Sequence, residues 1–280
     1  MTNRAVGYLI KDQTPIVVEA SRKVRDACAL MCERRAGSVL VVDGHHGHLI
    51  GIFTGRDAVH LLARGSTAGD LQICEAMTRD PVTVTPHQRA TDGLLAMTKG
   101  GFRHLPVTEE GKVLGIVCRS DFKGMEFEEY RVVHSTEPAS APDRPIAEVA
   151  ADRKPVVMGP EDTVGEACRR MCEFSIGSVL VVDLLCHPKG IFTGRDAVRI
   201  LASSASPGET PLIKAMTPDP VTVRLEQNAI DALRAMNDGG FRHLPVVDRG
   251  RIVGVVARSD FTGTELDRLD EETHLAECIW

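Results

Sequence analysis

The chain contains the stretch Gly51-Ile52-Phe53-Thr54-Gly55-Arg56-Asp57-Ala58-Val59 and repeats it unchanged as Gly190-Ile191-Phe192-Thr193-Gly194-Arg195-Asp196-Ala197-Val198. This repeat indicates an internal duplication. In each copy, apolar residues at helical spacing follow the threonine, so Thr54 and Asp57 are predicted to open a helix. Two interpretations of that helix start are open. Its unpaired N–H groups and partial positive charge suit a phosphate, while its carboxylate can accept from a sugar diol. Alternatively, Thr-x-x-Asp is a capping box that satisfies only its own backbone.

The composition indicates a globular protein with a sizeable core. The chain has 280 residues, of which 43% are hydrophobic and 26% charged, a size that suits two domains. No run approaches the roughly 20 apolar residues that cross a bilayer, and no signal-peptide core follows the first residues. We therefore expect a cytoplasmic protein without membrane association. A formal charge of −6 and the lack of a basic block predict that the surface repels nucleic acid.

The eight cysteines are expected to be reduced thiols, because the chain shows no secretory signal. Cys28 and Cys32 recur as Cys168 and Cys172, one helical turn apart, and both sulfurs of each pair are predicted to face inward. Apolar neighbours on the same face favour packing over metal binding. The histidine-rich loop 45–48 is interpreted as an exposed turn, so no metal site is predicted.

Outward from the repeated stretch, the first 65 or so residues follow the order strand, helix, strand, strand, helix. A continuous apolar run at 38–43 is typical of a strand that is covered on both faces. Gly37 is predicted to end the helix before it. The predicted elements are a strand at 15–18, a helix at 21–35, strands at 38–43 and 49–53, and the helix that Thr54 opens.

The same order of elements occurs four times. The second unit has elements at 81–84, 88–99, 102–108 and 112–118, the third at 155–158, 164–174, 178–183 and 191–201, and the fourth lies within 220–256 and its following helix. We place the units at about 8–66, 70–128, 146–205 and 209–266, in halves 1–130 and 146–280. A linker at 131–145, rich in Ser, Thr, Pro and Ala, joins the halves, and an acidic C-terminal tail is predicted to dock as a helix.

These units resemble the cystathionine-beta-synthase (CBS) domain. The residues that carry the resemblance are Ala76-Met77-Thr78 and Ala215-Met216-Thr217 before Pro-Val-Thr-Val strands, and an aspartate after each hairpin. The resemblance covers nearly the whole chain. It implies an α/β fold in which four strand-helix-strand-strand-helix units pair into two Bateman modules, with no attached catalytic domain. In this family the clefts between units commonly take adenosine ligands such as AMP, ADP, ATP or S-adenosylmethionine.

The resemblance also assigns ligand-binding residues. It implies that Asp57 and Asp196 hold ribose hydroxyls, that Thr54 and Thr193 meet a phosphate, and that the Ala-Met segments line adenine slots. Basic residues at the head of the second strand meet phosphate in a nucleotide-binding member of the family. The full set is Thr54, Arg56, Asp57, Ala76, Met77, Arg103, His104, Asp121, Thr193, Arg195, Asp196, Ala215, Met216, Arg242, His243 and Asp260.

Units two and four depart from the pattern, because Cys118 and Ala257 stand where units one and three have threonine. Alanine cannot cap a helix, so Asp260 is not expected to belong to a capping box, although a helix-dipole role is open. Units one and three carry Gly-Ser where units two and four carry Arg-His. One cationic cleft and one hydroxyl-lined cleft per module are therefore expected, unless the Arg-His pairs are solvated strand ends.

The leading functional hypothesis is a regulatory sensor whose unit packing changes when an adenosine ligand binds. We expect no enzyme and no catalytic cofactor, because the chain has no Walker loop, no Gly-x-Ser-x-Gly elbow, no His-Glu-x-x-His and no Cys-x-x-Cys. The sensor would act on a protein effector, either as a homodimer or with both modules packed within one chain. A ligand-free dimerisation or interaction module and a thiol- or metal-responsive regulator are the alternatives.

Overall fold

The structure, a computed structural model, describes residues 4–65, 68–123, 126–127, 129–130, 144–151, 154–203, 205–261, 265–266 and 268–269. Four repeated units of mixed helices and strands make up this part of the chain, which confirms the predicted fold class. None of the helices in these ranges has the length and hydropathy that a membrane span requires.

Unit 1 is a four-stranded sheet covered by two helices. Strand β1 runs parallel to β2, and the remaining neighbours in the order β1-β2-β3-β4 are antiparallel. All five residues of β2 are buried, as its continuous apolar run predicts. The elements are α1 (Val6–Leu9), β1 (Val17–Glu19), α2 (Val24–Glu33), β2 (Ser38–Val42), β3 (Leu49–Thr54), α3 (Gly55–Ala63), α4 (Ile73–Ala76) and β4 (Thr78–Arg79).

Unit 2 has a shorter sheet than the sequence predicts. The predicted strand at 81–84 is wrong, because only Val84 pairs, in a single parallel bridge with Val107. Pro81 has no N–H to donate, and Val82 is 54% exposed, so this stretch gains little from joining the sheet. The elements are α5 (Ala90–Gly100), β5 (His104–Glu109), β6 (Lys112–Cys118) and a 3₁₀ turn at Arg119–Asp121.

The second half repeats this plan. Unit 3 contains α6 (Ile146–Ala150), β7 (Val157–Met158), α7 (Val164–Glu173), β8 (Ser178–Val182), β9 (Pro188–Thr193), α8 (Gly194–Ser203), α9 (Leu212–Ala215) and β10 (Thr217–Pro218). Unit 4 contains β11 (Val223–Arg224), α10 (Ala229–Gly239), β12 (His243–Asp248), β13 (Arg251–Ala257) and a 3₁₀ turn at Arg258–Asp260. Here too the first strand is short, beginning three residues after Pro220.

Within each half, the two units are joined along their hairpins and by an ion pair whose carboxylate is buried. The Leu49 N–H donates to the Gly111 carbonyl, and in the second half the Ile252 N–H donates to the Cys186 carbonyl, both at 2.9 Å. The matching ion pairs are Arg4 with Glu126, Nε to Oε1 at 2.8 Å, and Arg144 with Glu265, Nε to Oε1 at 2.7 Å. Arg144 falls in the predicted linker, yet it contacts the second half. The boundaries of the linker and modules stay a prediction.

Between the halves, units 1 and 3 share one hydrophobic core. Helix α2 packs on α8, and α3 packs on α7 and α8, so buried residues of both units form a single cluster. The helix starts approach most closely at Gly55 and Gly194. A Cβ on Gly55 would lie 3.0 Å from the carbonyl carbon and oxygen of Gly194, so only glycine allows this backbone approach.

Gly37 has a different role from the predicted one. Helix α2 ends at Glu33, and Arg35, with φ 51°, takes the left-handed conformation that glycine was expected to supply. A Cβ on Gly37 would instead lie 2.7 Å from Nε2 of His104. Glycine is required here because the His104 ring of unit 2 packs on this backbone, and His243 repeats the contact on Gly177 at 2.7 Å.

The cysteine prediction is confirmed for one member of each pair. Cys28 and Cys168 are fully buried, and burial raises the pKa of the Cys168 thiol to about 12. The inward prediction is wrong for Cys32, which is exposed in the last turn of α2, and only partly right for Cys172, which is half-buried. In the loop 45–48 every residue is exposed, which confirms the predicted turn.

The C-terminal tail lies mostly outside the described residues. At its start, Leu266 and Leu269 are 7% and 6% exposed and pack in the core of unit 4. The predicted docking is confirmed for this first part only.

Candidate functional site

The helix start of unit 1 forms the predicted capping box. Oδ2 of Asp57 accepts from the Thr54 backbone N–H at 2.7 Å and from its hydroxyl at 2.8 Å. The Thr54 hydroxyl oxygen in turn accepts from the Arg56 N–H at 3.2 Å. One carboxylate oxygen of Asp57 is therefore committed to stabilising the helix.

The other oxygen, Oδ1, accepts from the Thr78 hydroxyl at 2.9 Å. Strand β4 makes this contact possible, because Thr78 pairs with Ile52 and so lies beside the end of β3. A carboxylate offers about four lone-pair positions, and these contacts fill three of them. The half-buried Asp57 can thus accept one more hydrogen bond, which reconciles the cap with a ligand-binding role.

A groove of ≈ 290 Å³ opens at Asp57. Four residues that the resemblance assigned to ligand binding meet in it: Arg56, Asp57, Ala76 and Met77. The Met77 side chain reaches its place by lying on Gly51, where a Cβ would be 2.1 Å from Sδ. The full lining is Arg56, Asp57, His60, Leu61, Arg64, Glu75, Ala76, Met77 and Thr78.

Sequence reasoning missed two basic groups of this groove. His60 and Arg64 follow Arg56 at intervals of one helical turn, so all three lie along the exposed face of α3. The i, i+4, i+8 spacing of these residues was the available signal. Positive charge beside a hydrogen-bond acceptor suits a ligand that has both hydroxyls and an anionic group.

Unit 3 has the same capping geometry but a different environment. Oδ2 of Asp196 accepts from the Thr193 N–H and hydroxyl at 2.7 and 2.8 Å, and Oδ1 accepts from Thr217 at 3.2 Å. A fourth donor, Nη2 of Arg199, binds Oδ1 as well and reaches the Ala215 carbonyl at 3.2 Å. Asp196 is 2% exposed.

The arginines of units 2 and 4 line one cavity between the two halves. Arg103 and Arg242 meet there with Arg119 and Arg258, over an apolar floor that includes Phe122. The expectation of a separate cationic cleft in each module is therefore wrong, because the two modules place these residues against each other. Burial, followed by the charges of Arg242, Arg56 and Arg119, lowers the pKa of Arg103, which marks a concentration of positive charge.

Arg56 connects the groove of unit 1 with unit 2. Its Nη2 donates to the Gly101 carbonyl, beyond the end of α5, at 3.0 Å, and its charge reaches Arg103. Arg195 makes the equivalent bond to the Gly240 carbonyl at 3.3 Å. Each repeated stretch therefore holds the neighbouring unit of its own half through an arginine.

The two histidines next to these arginines belong to neither lining. Burial and the charges of Arg242 and Arg103 lower the pKa of His104 to about 3, and burial with the same arginines lowers that of His243 to about 4. Nε2 of His104 is buried and has no hydrogen-bond partner among the described residues. Both rings are neutral near pH 7 and pack on the glycines of the facing unit.

The aspartates of units 2 and 4 also cap. Oδ2 of Asp121 accepts from the Cys118 N–H, and Oδ2 of Asp260 accepts from the Ala257 N–H, each at 2.8 Å. The expectation that Asp260 takes no part in a capping box is therefore wrong for the carboxylate half of the motif. That half needs only the backbone N–H of the residue three positions earlier, so losing the threonine does not remove it. Neither aspartate lines the groove or the cavity described above.

Four similar units, paired within each half and joined through helices between the halves, define a class of tandem-repeat α/β proteins with an acidic cap at each hairpin end. The chain belongs to the CBS domain family, whose model matches residues 10–64, 68–124 and 212–265. Unit 3 lies outside these matches, although it repeats unit 1.

Relatives agree with this membership, and a solved structure shares the fold. CBS domain-containing proteins CBSCBSPB3 and CBSCBSPB2 of Arabidopsis thaliana are 29% identical over 265 residues and 30% identical over 267 residues. Each alignment covers 84% of this chain but 47% and 48% of the relative, so the chain spans about half the length of the curated relatives it matches. Protein MJ1225 of Methanocaldococcus jannaschii shares the fold, with a TM-score of 0.72 at 16% identity, over 94% of this chain and 99% of that one.

Proposed function

We propose that this chain is a regulatory sensor that binds an adenosine ligand in the groove of unit 1 and passes the binding on as a change in the packing of its units. The ligand class is AMP, ADP, ATP or S-adenosylmethionine, and a protein effector receives the signal. The proposal combines the ligand class that CBS domains commonly take with the side chains that meet in this groove.

The observation that carries the proposal is that Arg56, Asp57, Ala76 and Met77 line one groove. These residues come from two segments, the start of α3 and the end of α4, and the resemblance assigned both to one ligand. The volume of ≈ 290 Å³ is close to the lower end of the range for small-molecule sites, roughly 300–1,000 Å³.

The side chains suggest how the ligand lies. The unused lone pair of Asp57 accepts from a ribose hydroxyl, and the half-buried Ala76 and Met77 give the base an apolar surface. Phosphate then meets Arg56, whose charge also acts on Arg103 in the cavity between the halves. A ligand with both a diol and an anion satisfies this set better than either group alone.

The same arrangement suggests how binding reaches unit 2. Arg56 holds the Gly101 carbonyl in the described state, and an anion competes for its guanidinium. A charge-assisted bond to phosphate is stronger than a bond to a neutral carbonyl, so binding loosens this link between units 1 and 2. The packing of the units is then the quantity that an effector senses.

Thermal unfolding with each of the four ligands tests the proposal, with inorganic phosphate as a control for binding of a simple anion. A ligand at 100 times its dissociation constant adds about 2.7 kcal/mol to the free energy of unfolding, which raises the melting temperature by several degrees. Asp57→Asn should lose most of this stabilisation, whereas the exposed Asp12→Asn should keep it. If none of the four ligands shifts the melting temperature of the wild-type protein, the chain does not have this function.

The thiol- or metal-responsive alternative has little support. No group of His, Cys, Asp and Glu side chains in the described ranges is arranged to hold a metal ion. Burial raises the pKa of the Cys28 thiol, so little reactive thiolate forms there at neutral pH. A ligand-free interaction module would show no melting shift and an oligomeric state that depends on concentration.

A further inference from the structure

Units 1 and 3 carry the same nine-residue stretch, but the residue that follows it differs. His60 comes after Val59 in unit 1, and Arg199 comes after Val198 in unit 3. Both side chains leave the helix three residues, or about one turn, after the capping aspartate, and so point along the same side of it. Outside the repeated stretch, this is the position where the two helix starts first diverge.

This difference changes the number of hydrogen bonds that the capping aspartate accepts. In unit 3, Nη2 of Arg199 binds Oδ1 of Asp196, which also accepts from Thr217. Oδ2 already accepts twice from Thr193, so all of the roughly four lone-pair positions of this carboxylate are filled. In unit 1 no hydrogen bond joins His60 to Asp57 among the described residues, and one position of Asp57 remains.

Arg199 also covers the segment that corresponds to the adenine slot. Its Nη2 reaches the Ala215 carbonyl at 3.2 Å. Ala215 and Met216 are 5% and 9% exposed, whereas Ala76 and Met77 of unit 1 are only half-buried. The guanidinium thus touches both elements to which the ligand of unit 1 would bind, the carboxylate and the Ala-Met segment.

We infer that Arg199 occupies the ligand position of unit 3, so that the chain binds one adenosine ligand, in unit 1, and not two. This inference rests on the function proposed above. Arg199 supplies the donors and the positive charge that satisfy Asp196, and a ligand would have to displace a charged partner from a carboxylate that is 2% exposed. Unit 3 keeps the capping residues because they still stabilise its helix. The residue that follows the repeated stretch, His60 in unit 1 and Arg199 in unit 3, decides which of the two sites is open.

Calorimetric titration with AMP, ADP, ATP and S-adenosylmethionine, each alone, measures the number of sites. The wild-type protein should bind one equivalent. Asp57→Asn and Asp196→Asn are matched variants, because each weakens the equivalent capping box of its own unit. The first should lower the affinity about tenfold or more, and the second should change it less than about twofold.

The exchange of the two diverging residues gives the sharper result. Arg199→His should open unit 3 and raise the stoichiometry towards two, while His60→Arg should close unit 1 and abolish binding. Arg169→His, which removes an exposed arginine bound to Glu166 on α7, should leave one site. Because His60 is exposed, His60→Arg tests the inference even if Asp196→Asn or Arg199→His unfolds.

The outcomes separate the two ideas. Two equivalents in the wild-type protein, equal losses in the two asparagine variants, or unchanged binding in His60→Arg would overturn the role of Arg199 and leave the proposed function standing. If none of the four ligands bound either the wild-type protein or Arg199→His, the proposed function itself would be overturned.

Discussion

Acidification from pH 7 to pH 5 should destabilise the protein through His104 and His243. Their pKa values are about 3 and about 4 in the folded protein, against 6.5 for an ordinary histidine. Between pH 6.5 and about 4 the unfolded chain binds a proton at each position and the folded protein does not. The stability that the two neutral histidines contribute is therefore fully present above about pH 6.5 and is lost as the pH drops through this window.

The size of the effect follows from the width of the window. Each histidine contributes about 1.36 kcal/mol per pH unit while only the unfolded state titrates. From pH 6.5 to pH 5 this amounts to about 2 kcal/mol per histidine, or about 4 kcal/mol for both. The pKa values of Asp43 and Asp183 are lowered from their ordinary value of 3.8. The stability that these carboxylates contribute is therefore lost near and below that value, outside the range from pH 7 to pH 5.

Urea unfolding at 25 °C at pH 7, 6 and 5 measures this loss. The double variant His104→Asn with His243→Asn should be less stable at pH 7, because smaller side chains leave space beside Gly37 and Gly177. Its loss of stability between pH 7 and pH 5 should nevertheless be smaller than that of the wild-type protein by about 4 kcal/mol. His45→Asn, in the exposed turn, should keep the wild-type pH dependence. Equal losses in the double variant and the wild-type protein would show that the two rings are not held neutral by burial.

Three further substitutions test the packing and the groove. Gly55→Ala brings a methyl group to 3.0 Å from the Gly194 backbone and should cost about 1–3 kcal/mol in urea unfolding, whereas Gly44→Ala, with open space around it, should not. Arg144→Ala leaves the buried Glu265 without its arginine and should cost about 3 kcal/mol; Arg4→Ala should cost less, because Arg4 is 34% exposed against 15% for Arg144. Gly51→Ala displaces Met77 and should weaken nucleotide binding at least tenfold in calorimetric titration, while Gly190→Ala should not. Equal effects of a substitution and its partner would contradict the reasoning in each case.

The sequence predicts the repeated fold well because periodic apolar patterns and the repeated stretch are local signals. The all-buried β2 strand and the hairpin of unit 2 could be read directly from these patterns. The lack of a full strand at 81–84 could not, since the apolar pattern does not show that Val82 is exposed in the folded protein. The sequence predicts a helix end at Gly37, and it does not show that the His104 side chain from unit 2 lies on this glycine.

The candidate site was predictable where residues adjacent in sequence act together. Thr54 and Asp57 are three residues apart, and their capping contact follows from helix geometry. Thr78 reaches Asp57 only because β4 joins the sheet of unit 1, and Arg103 meets Arg242 only because the two halves pack together. Such contacts join segments that lie far apart in the chain, so no local pattern contains them.

The close approach of Gly55 and Gly194 has an evolutionary consequence. These residues occupy the same position in two copies of one stretch, so the contact relates each half to the other by an approximate two-fold rotation. A surface that fits its own duplicate in this way is the kind found in symmetric dimers of identical subunits. The present chain can thus be understood as such a dimer joined into one chain, in which His60 and Arg199 are the first residues that differ after the repeated stretch.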